Sequence, residues 1–64
     1  MEDLILKLKM QRMHKNISIS EVARRMGTSQ PTLSRIESGK IGLTLKMLYR
    51  YAEAIGVKVT IKFE

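Results

Sequence analysis

ISISEVARRMGTSQPTLSRIESG, running from Ile17 to Gly39, is the stretch on which the 64-residue chain turns. It holds two helix starts, a glycine between them and a glycine at its end. Ser18 with Glu21 three positions on has the pattern of a capping box, in which each side chain answers a backbone N–H near the other. Ile17 and Val22 stand at the staple positions around it. Val22, Ala23 and Met26 fall on one side of the helix that follows, Arg24 and Arg25 on the other. Gly27 ends it, where a positive φ costs glycine little. Thr28 and Ser29 offer a second cap, and Pro31 lies in the first turn, where its missing N–H is not needed. Leu33 and Ile36 repeat at i, i+3, and Gly39 stops the run. The spacing predicts two short helices, about 19–26 and 30–38, joined by some three residues and crossing steeply.

Upstream, residues 2–15 read as a helix with two apolar stripes. Leu4, Ile5 and Leu8 form one, with Arg12 just beyond it; Leu6, Met10 and Met13 form the other. At about 100° per residue the stripes lie roughly 150° apart, so this helix needs two partners. Glu2 and Asp3 suit its N-terminus and Lys15 its C-terminus, and Asn16 suits a left-handed exit. Downstream, Lys40 to Leu43 read as a loop. Thr44 caps a fourth helix, about 45–55, whose inward stripe is Leu45, Leu48, Ala52 and Ile55, and Gly56 ends it. The period then changes. Val57, Val59, Ile61 and Phe63 alternate with Lys58, Thr60, Lys62 and Glu64, which predicts a strand over about 57–63. A lone strand needs a partner, and the chain offers no second one, so the expected partner is the same tail of another copy. The expected fold is therefore mainly α: four helices in one helix-turn-helix domain over residues 1–64, plus a C-terminal β-strand that pairs across a dimer.

Composition narrows the function. The net charge is +6 and the sequence pI about 10.1, which suggests a polyanionic partner, nucleic acid before an acidic membrane surface. Tyr49, Tyr51 and Phe63 are the only aromatics, too few for a single-strand stacking platform. Without cysteine there is no disulfide, thiolate metal site or cysteine nucleophile. No apolar run is long enough to span a membrane, and a cytoplasmic protein is expected. His14 is the single histidine and has no company as a ligand or base. Glu2, Asp3 and Glu21 suit helix N-termini, and Ser29 and Ser34 suit caps or phosphate contacts. No catalytic residue, metal or cofactor is expected, and Met10 and Met13 stand out as methionines on a stripe without an assigned cover.

A second helix lying in a DNA major groove while the first spans the backbone needs a small residue at the crossing, a turn, apolar anchors and a polar outer face. Ala23, Gly27, Leu33 with Ile36, and Gln30, Thr32, Ser34 and Arg35 fill those places. With Ser18, Glu21 to Ala23, Gly27, Ser29, the run Ser34 to Lys40 and the run Tyr51 to Val57, the chain from about Leu8 to Val57 resembles the lambda-repressor/Cro-like (XRE) family of helix-turn-helix domains. The strand-like tail is similar to that of family members that serve as antitoxins.

The resemblance implies base contacts from Gln30, Pro31, Thr32 and Arg35 and phosphate contacts from Ser29, Ser34 and Lys40; Arg24 is a further phosphate candidate. Arginine can read guanine and glutamine adenine with two bonds each. Two positions depart from the family: Pro31 offers only apolar contact, and Ile19 stands where a phosphate-touching glutamine is common. The resemblance also implies a structural ion pair between Arg12 and Glu37. The expected function is sequence-specific binding of double-stranded DNA, as a repressor, by a homodimer joined through Val57, Val59, Ile61 and Phe63. The ribbon so formed is expected to pack on Leu6, Met10 and Met13. The alternative is an antitoxin that neutralises a partner toxin by protein–protein binding and autoregulates its operon.

Overall fold

The computed structural model describes residues 2–60. Four helices follow in order: α1 (Glu2–His14), α2 (Ile19–Met26), α3 (Gln30–Glu37) and α4 (Leu45–Ile55). Each starts and stops for local reasons. The hydroxyls of Ser18, Ser29 and Thr44 cap α2, α3 and α4, accepting the backbone N–H of Glu21 at 3.0 Å, Thr32 at 3.2 Å and Met47 at 3.1 Å. The C-terminal ends share one device. A residue in the left-handed conformation follows the helix, and the next N–H reaches back five residues to a free carbonyl: Ile17 to Arg12, Thr28 to Ala23, Lys40 to Arg35 and Val57 to Ala52, at 2.9–3.1 Å. The left-handed residues are Asn16, Gly27, Gly39 and Gly56.

The core is formed by Ile5 and Leu8 of α1, Val22 and Ala23 of α2, Leu33 and Ile36 of α3, and Leu48, Tyr51, Ala52 and Ile55 of α4. Helix α2 packs on α3 and α4, and α1 lies across α3 and α4. Ala23 is 2% exposed; its small side chain allows the close approach that α2 makes to its neighbours.

Two expectations about packing need correction. Leu45 is not part of the inward stripe of α4; it lies in the first turn and is 50% exposed, while Tyr51 is fully buried. Tyrosine can take a core position here because its hydroxyl has partners inside (below). The Ser18–Glu21 box is also only half made. Ser18 accepts from Glu21, but the Glu21 carboxylate is taken by Arg24 and Arg25. Two guanidinium donors on one face outbid a single backbone N–H.

The strand expected over 57–63 is not formed at residues 57–60, which have no regular structure; a ladder needs a second strand, and there is none among the described residues. Residues 61–63 lie outside the described part. Val57 and Val59 are half-buried against the core, with Lys58 and Thr60 turned outward. Together with Leu4, Leu8 and Leu48 they line a groove of about 320 Å³. Thus these two valines do not cover Leu6, Met10 and Met13 of their own chain, which are 54%, 62% and 57% exposed.

Candidate nucleic-acid interface

Helix α3 is held from behind and bare in front. Leu33 and Ile36 are at 0% and 1% exposure, and the Glu37 side chain is 5% exposed. Glu37 enters a tight polar cluster. Arg12 Nε donates to Glu37 Oε2 at 3.0 Å and Arg12 Nη2 to Glu37 Oε1 at 3.2 Å, a forked pair. Arg12 Nη1 donates to the Ile17 carbonyl at 2.9 Å. The Tyr51 hydroxyl donates to Glu37 Oε2 and accepts from Arg12 Nε. Four parts of the chain (α1, the α1–α2 turn, α3 and α4) therefore meet at one guanidinium, that of Arg12. Burial works against the Arg12 charge, but the hydrogen bonds to Glu37 and Tyr51 outweigh it and raise its pKa above the ordinary value. Burial, reinforced by the hydrogen bond to Glu37, pushes the Tyr51 phenol up from its ordinary range, against the pull of Arg12. No buried polar side-chain atom among the described residues lacks a partner.

The front of α3 presents Gln30, Pro31, Arg35 and Ser38, all exposed, with Ser34 half-exposed among them. Gln30 Nε2 donates to Ser34 Oγ at 3.1 Å, so these two lie side by side on the outer face. Thr32 is half-exposed, as Ser34 is, and its hydroxyl accepts from Ser29 Oγ at 2.8 Å beside the cap of α3. Arg35 is exposed and makes no ion pair among the described residues. Ser38, which the sequence reading did not single out, shares this face; its hydroxyl donates to the Arg35 carbonyl at 3.0 Å. Its position at i+4 from Ser34 was the available signal. Lys40 follows Gly39 and is exposed at the end of α3.

On α2, Glu21 gathers Arg24 and Arg25. Arg24 donates through Nε at 3.0 Å and also through Nη2, and Arg25 donates through Nε at 2.8 Å. Hydrogen bonds from Arg24 first and Arg25 second bring the Glu21 carboxyl down to about 2. Arg25 Nη1 further donates to the Ala54 carbonyl at 2.7 Å, tying α2 to the end of α4. Arg24 remains 73% exposed. Ile19 is half-buried and packs against the core.

Two short helices crossing through a glycine turn, with the second anchored behind and polar in front, define a helix-turn-helix domain. The family model described as Helix-turn-helix matches residues 8–61, and the chain belongs to this family, the XRE-type helix-turn-helix proteins. It is also 36% identical over 53 residues to an uncharacterized HTH-type transcriptional regulator of Methanocaldococcus jannaschii, covering 83% of this chain and 80% of that protein. No solved structure shows a significant match. No helix among the described residues is long and apolar enough to cross a membrane.

Proposed function

We propose that the chain is a transcriptional regulator that binds double-stranded DNA sequence-specifically, acting as a homodimeric repressor on a palindromic operator. The observation that carries this reading is the front of α3: a polar, open face on a helix whose back is locked into the core by Leu33, Ile36 and the Arg12–Glu37 pair. Family membership and the similarity to an HTH-type transcriptional regulator support it. In this reading Gln30, Thr32, Arg35 and the apolar Pro31 meet base edges. Ser29, Ser34, Lys40 and Arg24 lie toward phosphates. Arg24 reaches a phosphate while sharing Glu21, which holds its guanidinium in place. Basic side chains supply affinity by counterion release and the front of α3 supplies preference. The tails, Val57, Val59, Ile61 and Phe63 of each copy, pair as an antiparallel ribbon that sets the reading helices about 34 Å apart. The inward turn of Val57 and Val59 against outward Lys58 and Thr60 suits that role, since one face of such a ribbon would lie on the two cores.

The test is Arg35→Ala against the preferred duplex and against random duplex. A loss of about 1–3 kcal/mol confined to the preferred site, with one base position relaxed, supports the assignment. Equal loss on both sequences removes Arg35 from the reading set.

A second reading, neutralisation of a toxin, draws on exposed apolar surface at the start of α4. Leu45 and Tyr49, one turn apart on α4, are 50% and 46% exposed, and adjacent exposed apolar side chains mark contact sites for other proteins. A neighbouring reading frame that encodes a small toxin, and a stable complex of the two products in gel filtration, would establish it; the absence of both would remove it.

A further inference from the structure

Leu6, Met10 and Met13 stand at i, i+4 and i+7 on α1 and are 54%, 62% and 57% exposed. This is the spacing of a helix-to-helix seam, in which alternate steps of four and three residues keep one stripe facing a partner helix. The inner stripe of α1, with Ile5 and Leu8, is already used on α3 and α4. The start of the tail packs on the Leu4–Leu8 side. No described element covers the outer stripe.

We propose that this outer face of α1 is a self-association surface, on which Leu6, Met10 and Met13 of one copy pack against the same residues of a second copy with the two helices antiparallel. The charge order makes a second copy, laid antiparallel, a complementary occupant. The sequence of α1 opens with two acids, Glu2 and Asp3, and is basic from there on, with Lys7, Lys9, Arg12 and His14 inside the helix and Lys15 just past its end. An antiparallel pair lays the acidic start of one helix beside the basic end of the other and opposes the helix dipoles; a parallel pair sets like charges together. A two-fold axis near Met10 then brings Met10 against Met10 and Leu6 against Met13 of the second copy. Methionine suits such a small contact, because its unbranched thioether adapts to its own image. The stripe spans two turns, roughly 10 Å, so the contact is small and favours reversible association. This surface is separate from the tail ribbon proposed above. A chain carrying both has two isologous faces and can join DNA-bound dimers to one another.

The chain contains no cysteine, so a single introduced thiol reports the contact directly. In the full chain, Met10→Cys under mild oxidation is expected to give disulfide-linked pairs in high yield, whereas Tyr49→Cys on α4 gives few. Met10→Glu, at an exposed position that leaves the core intact, is expected to weaken self-association at least tenfold by sedimentation, with an unchanged circular dichroism spectrum. If Met10→Cys links no faster than Tyr49→Cys and Met10→Glu sediments as the wild type does, the α1 surface is refuted while the tail dimer stands. If the wild type sediments as a monomer at every concentration, both self-association readings fall.

Discussion

Replacing Arg12 with methionine keeps most of the side-chain volume and removes the charge, so it isolates the polar cluster behind α3. The Arg12 and Glu37 side chains are 12% and 5% exposed. At that burial, solvent does little to compensate a stranded carboxylate, and removing one partner of such a pair costs about 3–5 kcal/mol. The Ile17 carbonyl loses its donor as well. A domain of 64 residues holds roughly 3–10 kcal/mol in all, so Arg12→Met sits at or beyond the edge of folding. The double variant Arg12→Met/Glu37→Leu removes both charges together. Its cost is expected to be far smaller, about 1–2 kcal/mol, chiefly because the Tyr51 hydroxyl loses its acceptor. Urea denaturation followed by circular dichroism on the wild type, both single variants and the double gives the coupling energy. A single variant within about 1 kcal/mol of the wild type, or a double variant equal to the sum of the singles, refutes the view that this pair fastens α3 from behind.

Three further outcomes follow from the geometry. Glu21 has a carboxyl held at about 2 against an ordinary 4.5. Its stabilising contribution is therefore complete above about pH 4.5 and is lost as pH falls toward about 2. Glu21→Gln should flatten the pH dependence of Tm in that window, and a curve parallel to the wild type would disconnect Glu21 from the arginines. Gly27→Ala meets no atom within 4 Å, but its φ is +71°, so the loss should be purely conformational, about 1–2 kcal/mol in urea denaturation, with a smaller loss for asparagine. Lys40→Ala should weaken binding to all duplexes alike and reduce the salt slope by about one unit; a loss confined to one sequence would make Lys40 a reader rather than a phosphate contact.

The mainly α fold with four helices was legible because its signals are local. Ser18, Ser29 and Thr44 mark starts and Asn16, Gly27, Gly39 and Gly56 mark ends, each through chemistry within a few residues. The two stripes of α1 were legible from spacing alone, though which of them would be covered was not. The corrections came from side-chain partners, some distant in sequence and some within one turn. Tyr51 joins the core while Leu45 stays exposed, and the Tyr51 hydroxyl is satisfied inside by Arg12 and Glu37, which lie 39 and 14 residues away in sequence. Glu21 leaves the backbone of Ser18 for two arginines whose rotamers no sequence pattern specifies. Residues 57–60 carry strand alternation without a strand, since no second strand lies beside them among the described residues.

The central claim is that the front of α3 reads sequence in duplex DNA, and selection of binding sites from a random duplex library tests it most directly. The account predicts enrichment of a two-fold-related site with half-sites about 10 base pairs apart, centre to centre, and loss of one conserved position in each half when the selection is repeated with Arg35→Ala. Recovery of duplexes without any shared sequence, or of an unchanged motif with Arg35→Ala, would contradict it.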